Sequence, residues 1–414
     1  MLNSKFIYLK TTDISDAYIL FETINARGAD LSVKDLIKSK ILATIKNQNK
    51  NKELANKWAE LDSEVSKKNG SFEKLLRFYW NSIGEFSSTS QLYNHYRSST
   101  IFNNETSVLN FCNNLESSVK VYCAICDPNV LTMGDITKNH NDWKFDNPES
   151  YKKNKSTADA LKRSFEALKQ QGIILFTPII LSTYRWLTVE SLLKMSITVE
   201  SIAYRNILVC NHASNLYEKD TSNWALDLHN KNGDNFETIL SNFNNEICTT
   251  SELSNQFKIW NTDTDKEDSA KSKLIRYILE ELFDEPIQDR EGLELEHINP
   301  QTPNEKSPKD SDIILNIGNL AVLEKPLNGQ CKNKPFTEKL KIYRKSKTKC
   351  MNELCKLYDE TISKDEKFPY PDDIWTELCM EYWRNILLEK FKIRWPKPDE
   401  SAPPKKNGRQ ATLI

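Results

Sequence analysis

The sequence is poor in glycine, in histidine and in long apolar stretches. Its 414 residues include 10 glycines and five histidines. It has no run of about 18 apolar residues, which argues against a membrane-spanning helix. Its longest apolar stretch, 172–184, is typical of a buried helix. The first residues also lack the basic and apolar layout of a secretory signal, so we expect a cytoplasmic protein.

Cysteine is present but lacks the pattern of a metal site. The nine cysteines are scattered, and one pair, Cys123 and Cys126, has metal-ligand spacing. A structural zinc site needs four ligands, usually from two such pairs, and the sequence offers no second pair. We therefore expect ordinary reduced thiols, as in most cytosolic proteins.

Charge is balanced overall and uneven locally. The chain carries 57 basic and 58 acidic residues, for a net charge of −1. Residues 279–296 hold eight acids and one arginine, whereas residues 332–349 hold eight basic residues and one acid. The average therefore hides a local change of sign, and the basic segment suits a partner that carries phosphates.

Helical periodicity dominates the chain, and strand alternation is almost absent before residue 290. The segments predicted to be helical are 13–26, 33–48, 52–68, 71–83, 106–126, 156–171, 175–213, 235–246, 267–283 and 371–392. The expected fold class is therefore mainly α. At 48.0 kDa the chain is long enough for two or three domains.

Residues 19–42, "ILFETINARGADLSVKDLIKSKIL", predict two helices joined by a turn. Gly28 suits the position just after the first helix. Ser32 and Asp35 have the spacing of a capping box at the start of the second. A helix-turn-helix corner in which Arg27 is structural accounts for this stretch without any further function.

Residues 293–346 predict a β–loop–β–α unit. "LELEHI" has the pattern of a short strand, and "IGNLAVLE" has the pattern of a second strand around 317–323. "KPFTEKLKIYRKS" predicts a helix with Phe336, Leu340 and Tyr343 on one face. The unit places a glutamate and a histidine, Glu296 and His297, at the end of its first strand.

Such a unit has the residue types that phosphodiester hydrolysis needs. The reaction requires a deprotonated water and a cation that offsets charge on the phosphate. Glu296 offers a carboxylate and Asn328 an amide oxygen, which are ligands that Mg²⁺ accepts in proteins. His297 would face away from Glu296 in a regular strand, so a bulge or a strand end is needed if both serve one site. Asn319 is placed to orient His297.

The same segment resembles the HNH, or His-Me finger, nucleases, and specifically the C-terminal nuclease domain of GmrSD-type restriction endonucleases. That family has the pattern E/D-H-I-x-P-Q, then G-N-L-x-x-L, then two asparagines, F, K and Y. The matching positions are Glu296, His297, Ile298, Pro300, Gln301, Gly318, Asn319, Leu320, Leu323, Asn328, Asn333, Phe336, Lys339 and Tyr343.

The resemblance implies a small ββα-metal unit near the C-terminus and a role for each site residue. His297 would be the general base, Asn319 the orienting residue, and Glu296 and Asn328 the ligands of Mg²⁺ or Mn²⁺. Asn333 is the second choice for the last ligand. The sequence departs from many HNH enzymes by having Glu where Asp is common and Asn where the third motif residue is His.

Residues 15–45 resemble the end of the ParB-like N-terminal domain of the same family. The matching positions are Phe21, Asn25, Arg27, Gly28, Leu31, Asp35 and Leu36. The family's upstream Asp-Gly-Gln-Gln-Arg motif is absent, so no nucleotide site is expected. The predicted organisation is a partial ParB-like domain over 1–50, a helical middle over 51–265, an HNH domain with flanking helices over 266–395 and a disordered tail over 396–414.

The expected function is metal-dependent cleavage of DNA in restriction or phage defence, and the resemblance suggests DNA with modified bases as substrate. Basic residues near the site are expected to contact the DNA backbone. Those residues are Lys332, Lys334, Lys341, Arg344 and Lys345, with Lys339, Lys347 and Lys349 in the same basic segment. A homo-oligomer or a separately encoded N-terminal partner is also expected.

Two alternatives remain open at this point. The chain would be a non-catalytic DNA-binding or assembly subunit if it were left by truncation of a larger enzyme. It would be an RNA-directed nuclease if the site met RNA, since such a site acts on phosphates and does not choose the sugar.

Overall fold

A computed structural model describes residues 32–131, 148–262, 269–285, 287–301, 311–364 and 374–398. The side chains of 148–154, 287–289 and 311 are outside this description. Within these ranges the protein is mainly α-helical, which confirms the predicted fold class. No helix among the described residues is long and apolar enough to cross a membrane. The helix predicted over 13–26, the matches at Phe21, Asn25, Arg27, Gly28 and Leu31, and the tail beyond residue 398 lie outside the described residues.

The chain divides into two compact units. The first consists of Met1–Glu200 with Ala213–Phe243, and the second of Ser201–His212 with Asn244–Ile414. The helices that belong wholly or mostly to the first unit are Val33–Thr44 (α1), Gln48–Lys67 (α2), Phe72–Asn81 (α3), Leu92–Ser98 (α4), Glu105–Cys126 (α5), Pro148–Gln170 (α6), Thr177–Trp186 (α7), Val189–Ile202 (α8), Asn215–Asn230 (α9) and Phe236–Glu246 (α10).

Capping side chains fix where several of these helices begin. Ser32 is the N-cap of α1, and its hydroxyl accepts a hydrogen bond from the Asp35 main-chain N–H at 3.4 Å. The predicted start of the helix at Ser32 is thereby confirmed, and the Ser32 hydroxyl also donates to the Asp35 carboxylate at 2.5 Å. The helix predicted over 175–213 is instead interrupted after α7. The reason is a second cap, because the Thr188 hydroxyl accepts from the Ser191 N–H at 3.2 Å and starts α8 there.

The second unit holds seven further α-helices and two strands among its described residues. These are Thr250–Lys258 (α11), Ala270–Leu282 (α12), Leu293–His297 (β1), Ser311–Ile314 (α13), Leu320–Glu324 (β2), Lys325–Cys331 (α14), Phe336–Tyr343 (α15), Lys349–Glu360 (α16) and Glu377–Arg394 (α17). A π-helical segment spans Ala203–Val209.

Strands β1 and β2 pair in antiparallel fashion, with Glu296 opposite Ala321 and His297 opposite Leu320. The second strand begins at Leu320, later than the 317–323 predicted. Ile317–Asn319 form a 3-10 turn instead, because the Asn316 side chain accepts from the Gly318 N–H at 2.9 Å. Pairing therefore starts only after this turn.

Two buried tryptophans tie β2 and its leading turn to the chain that follows. The Trp383 indole N–H donates to the Leu320 carbonyl at 2.9 Å, and the Trp375 indole N–H donates to the Gly318 carbonyl at 3.1 Å. Both side chains are fully buried. Trp383 therefore packs in the core, and its polar atom has a partner.

Helix α14 was not predicted. Asn328 precedes the predicted basic helix in sequence, and it lies inside α14, a short helix with Pro326 in its first turn. Proline suits that position because the missing N–H would have no helical partner there. The basic helix, α15, begins at Phe336 with Pro335 as its N-cap, and Phe336, Leu340 and Tyr343 lie on its buried face as predicted.

Candidate active site

Glu296 lies at the centre of a buried polar cluster next to the end of β1. Its side chain is 4% exposed. The Lys339 ammonium lies 2.6 Å from Glu296 Oε1, and the Tyr343 hydroxyl donates to the same oxygen at 2.6 Å. Burial, followed by the neighbouring Glu296 carboxylate, raises the pKa of Tyr343 well above its usual value. Tyr343 therefore stays a neutral donor.

His297 is the last residue of β1 and is half-buried. The strand end predicted as a requirement for Glu296 and His297 to serve one site is thus present. Burial, with the nearby Lys339 ammonium as the second cause, lowers the pKa of His297 to about 4. The imidazole is consequently neutral near pH 7 and has one ring nitrogen that can accept a proton. The Gln301 side-chain amide nitrogen lies 3.3 Å from Nε2.

Asn319 holds the chain that follows His297. Its side chain is fully buried. Its Oδ1 accepts from the Asn299 N–H at 2.7 Å, and its Nδ2 donates to the carbonyls of Asn299 at 3.1 Å and Ile314 at 2.8 Å. These bonds all go to main-chain atoms, so any influence of Asn319 on His297 runs through the backbone.

Asn299 is a structural member of the site that sequence analysis missed. Its Nδ2 donates to the Trp375 carbonyl at 2.5 Å, and its Oδ1 accepts from the Trp375 N–H at 3.1 Å. Asn299 therefore joins the exit of β1 to a segment 76 residues away. The available signal was an asparagine just past a strand end, where amide side chains commonly bond to main chain.

Asn328 is hydrogen-bonded to the carboxylate of Glu294, a residue that sequence analysis did not assign to the site. Its Nδ2 donates to Glu294 Oε2 at 3.1 Å, and the Lys325 ammonium lies 3.1 Å from Glu294 Oε1. Glu294 precedes Glu296 by two residues, so strand periodicity places both carboxylates on the same face of β1. That spacing was visible in the sequence. The structure brings Asn328 to Glu294, and Glu296 to Lys339 and Tyr343.

Most of the predicted DNA-contacting residues are exposed, as that role requires. The exposed members are Lys332, Lys334, Lys341, Arg344 and Lys345, and Asn333 is exposed beside them. Arg344 lies 2.7 Å from Asp359, and Lys334 lies 3.4 Å from Glu338. Lys339, which was counted in the same basic segment, is the exception because it is 1% exposed and faces the core.

Three glutamates of the acidic segment before β1 are buried. Glu280, Glu281 and Glu285 are each 4% exposed. Glu281 contacts Arg290 at 2.8 Å and Arg394 at 3.0 Å, and Glu285 Oε1 accepts from the Cys350 N–H at 2.9 Å. These carboxylates therefore point into the unit and add little negative charge to its surface.

The oxygen donors around β1 are of the type that a hard cation takes. Among the described residues, no group of three or more histidine, cysteine or acidic side chains is arranged to hold a metal ion. A magnesium site does not need such a group, since it uses one or two protein ligands and keeps several waters. The Glu294 carboxylate and the Asn328 amide lie beside each other and offer oxygens of that kind, whereas Glu296 Oε1 is already bound by Lys339 and Tyr343. Cys123 and Cys126 are free thiols on α5, and burial raises the pKa of Cys123 to about 12.

A strand pair that carries Glu296 and His297, followed by two short helices, lies within one recognisable domain. Residues 251–374 match the family model described as GmrSD restriction endonucleases, C-terminal domain. The chain thus carries this domain of the GmrSD-type restriction endonuclease family, and the predicted resemblance is confirmed for this part of the sequence. No curated protein matches the chain. The likeness of residues 15–45 to a ParB-like domain stays a prediction.

Proposed function

We propose that this protein is a metal-dependent endonuclease of the HNH type that cleaves DNA phosphodiester bonds in modification-dependent restriction. The observation that carries the proposal is the arrangement at the end of β1, where the half-buried imidazole of His297 directly follows the Glu296 carboxylate and the Lys339 ammonium contacts both residues. Burial keeps the His297 imidazole unprotonated near pH 7, so one ring nitrogen is able to accept a proton from water. The match of residues 251–374 to a restriction endonuclease domain supports the same function.

In this proposal, His297 accepts the proton of the water that attacks the phosphate. Lys339 and Asn319 support the ring indirectly, because they bind the His297 carbonyl and the main chain of Asn299, two residues further along. Glu296 and Asn328, with Glu294 beside Asn328, are the oxygen donors that would hold Mg²⁺ or Mn²⁺. When bound, the ion offsets the negative charge that develops on the phosphate and the leaving oxygen.

The substrate is proposed to lie along the exposed basic residues that follow the strand pair. Phosphate contacts by lysine and arginine give affinity that depends on salt and not on sequence. Lys341 and Lys345 are exposed on and just after α15, and the site residues Tyr343 and Lys339 lie on the buried side of that helix. One helix thereby presents its basic face to solvent and its other face to Glu296.

The experiment is cleavage of plain and glucosylated-hydroxymethylcytosine DNA by the purified full chain with Mg²⁺ or Mn²⁺. His297→Ala should lower the rate by roughly 10²–10⁴-fold, the usual contribution of a general base. His95→Ala is the control, because His95 packs against Trp80 in the first unit. Metal-independent cutting, or cutting that His297→Ala leaves intact, would contradict the proposal.

The second candidate is a non-catalytic DNA-binding or assembly subunit. It is favoured by one observation, namely that Glu296 and Asn328 already have protein partners in Lys339 and Glu294. DNA binding without cutting of either substrate would support this candidate. An RNA substrate in the same assay tests the RNA-directed alternative.

A further inference from the structure

Lys339 is the least exposed lysine of the basic segment and has a different environment from its neighbours. Its side chain is 1% exposed, whereas Lys341 and Lys345 are exposed. Helical spacing explains the difference, because Lys339 follows Phe336 by three residues and precedes Tyr343 by four, and both of those side chains are buried. Lys339 therefore shares the core face of α15.

The Lys339 ammonium contacts two consecutive residues of β1. It lies 2.6 Å from Glu296 Oε1 and donates to the His297 main-chain carbonyl at 2.6 Å. The first contact neutralises a buried carboxylate, and the second fixes the peptide from which the imidazole of His297 projects. An ammonium that is buried and bound to both of these oxygens has little freedom to move. It therefore fixes the position of the strand end and also compensates the charge of Glu296.

We infer that Lys339 is a positioning residue for the hydrolytic site, which sets the place of His297 by joining the Glu296 carboxylate to the His297 carbonyl. Tyr343 assists by donating a second hydrogen bond to Glu296 Oε1. The expected effect of Lys339 on cleavage rests on the proposed function. The expected effect of Lys339 on the position of His297 does not. Lys339 thus has a different role from the exposed lysines of the same segment, which are expected to contact DNA.

The consequence is a division of roles along one helix. Lys339→Met should lower kcat by about tenfold or more and leave KM for DNA nearly unchanged, because small misplacements of a reacting group are costly to the chemical step. Lys341→Met, two residues away on the exposed face, should raise KM and leave kcat unchanged. If Lys339 only added to the positive charge that attracts DNA, Lys339→Met would raise KM and leave kcat unchanged.

Nuclear magnetic resonance supplies a readout that does not depend on cleavage. The chain has five histidines, so selective labelling gives few imidazole signals, and His297→Ala identifies the signal of His297. Lys339→Met should displace that signal, and Lys341→Met should leave it in place. A His297 signal and a kcat that both stay as in the wild type in folded Lys339→Met would overturn the inference.

Two further outcomes are separable. If the wild-type protein cuts no DNA, the proposed function fails, and the position of the His297 signal in Lys339→Met against Lys341→Met still decides the role of Lys339. If Lys339→Met does not fold, because it leaves Glu296 buried without its cation, the double variant Lys339→Met/Glu296→Gln removes both charges. A displaced His297 signal in this double variant, relative to Glu296→Gln alone, supports the inference, and an unchanged signal overturns it.

Discussion

The side chain of Asn319 is hydrogen-bonded to both polar groups of the Asn299 main chain. Oδ1 accepts from the Asn299 N–H at 2.7 Å, and Nδ2 donates to the Asn299 carbonyl at 3.1 Å. The two residues lie 20 positions apart in the sequence. These two hydrogen bonds hold the residue before β2 against the chain that follows β1. The course of the chain after His297 therefore depends on the side-chain amide of Asn319.

Asn319→Ala should therefore destabilise the protein and also lower its cleavage rate. The substitution leaves the N–H and carbonyl of Asn299 without these partners, and each buried polar group left alone costs about 1–3 kcal/mol. Urea unfolding midpoints measure the loss. Asn328→Ala is the control, because Asn328 is half-buried and its side chain donates to a carboxylate, that of Glu294, and not to buried main chain. Equal losses in the two variants would contradict the role given to Asn319.

Gly318→Ala should destabilise the second unit, whereas Gly329→Ala should not. A methyl group on Gly318 would lie 2.7 Å from the Met380 carbonyl oxygen, which is backbone and cannot move aside cheaply. Overpacking of this kind costs about 1–3 kcal/mol. Gly329 lies in α14 with nothing within 4 Å of an added methyl, and alanine there should stabilise the helix by up to about 1 kcal/mol. Thermal unfolding of both variants checks the contrast.

The sequence was sufficient to predict the mainly helical class, the strand pair and the buried face of α15. The alternation of "LELEHI" predicted a short strand, and a strand end at His297 was the condition for Glu296 and His297 to serve one site. The sequence did not predict the burial of Lys339, since a lysine among seven other basic residues is expected to be solvated. The spacing of Lys339 from Phe336 and Tyr343 was nevertheless a usable signal for the core face.

The remaining site contacts could not be derived from local patterns. The Lys339 contact with Glu296 spans 43 residues, and the Asn299 contact with Trp375 spans 76. Which donor meets which acceptor over such distances depends on packing of the whole unit, not on helical or strand periodicity. The hydrogen bond between Asn328 and Glu294 also depends on packing of the whole unit. The two-residue spacing of Glu294 and Glu296 did indicate that both side chains lie on the same face of β1.

Glu280 should make the stability of the protein depend on pH. Burial, the largest cause, raises the pKa of Glu280 from 4.5 to about 7, with Arg276 and Arg290 acting against the rise and Glu281 and Glu285 adding to it. Between these two values the folded state binds more protons than the unfolded state, so this contribution to stability falls as pH rises from about 4.5 to about 7 and then stays level.

Glu280→Gln isolates that effect because glutamine does not titrate. The free energy of unfolding of Glu280→Gln minus that of the wild type should increase from about pH 5 to about pH 8, by on the order of 2 kcal/mol. Urea unfolding at several pH values measures it, and Glu291→Gln, at an exposed position, is the control. A difference that stays constant over this pH range would show that Glu280 titrates normally.

Lys341→Gln should weaken DNA binding in a way that salt reveals. If its ammonium neutralises one phosphate, the slope of log affinity against log salt should fall by about 0.9 for duplex DNA. Arg344→Gln should change the slope less, because Arg344 lies 2.7 Å from Asp359 and must leave that carboxylate to reach a phosphate. Fluorescence anisotropy titrations with one duplex at several salt concentrations give both slopes. An unchanged slope in Lys341→Gln would mean that DNA approaches the second unit from another direction than the exposed face of α15.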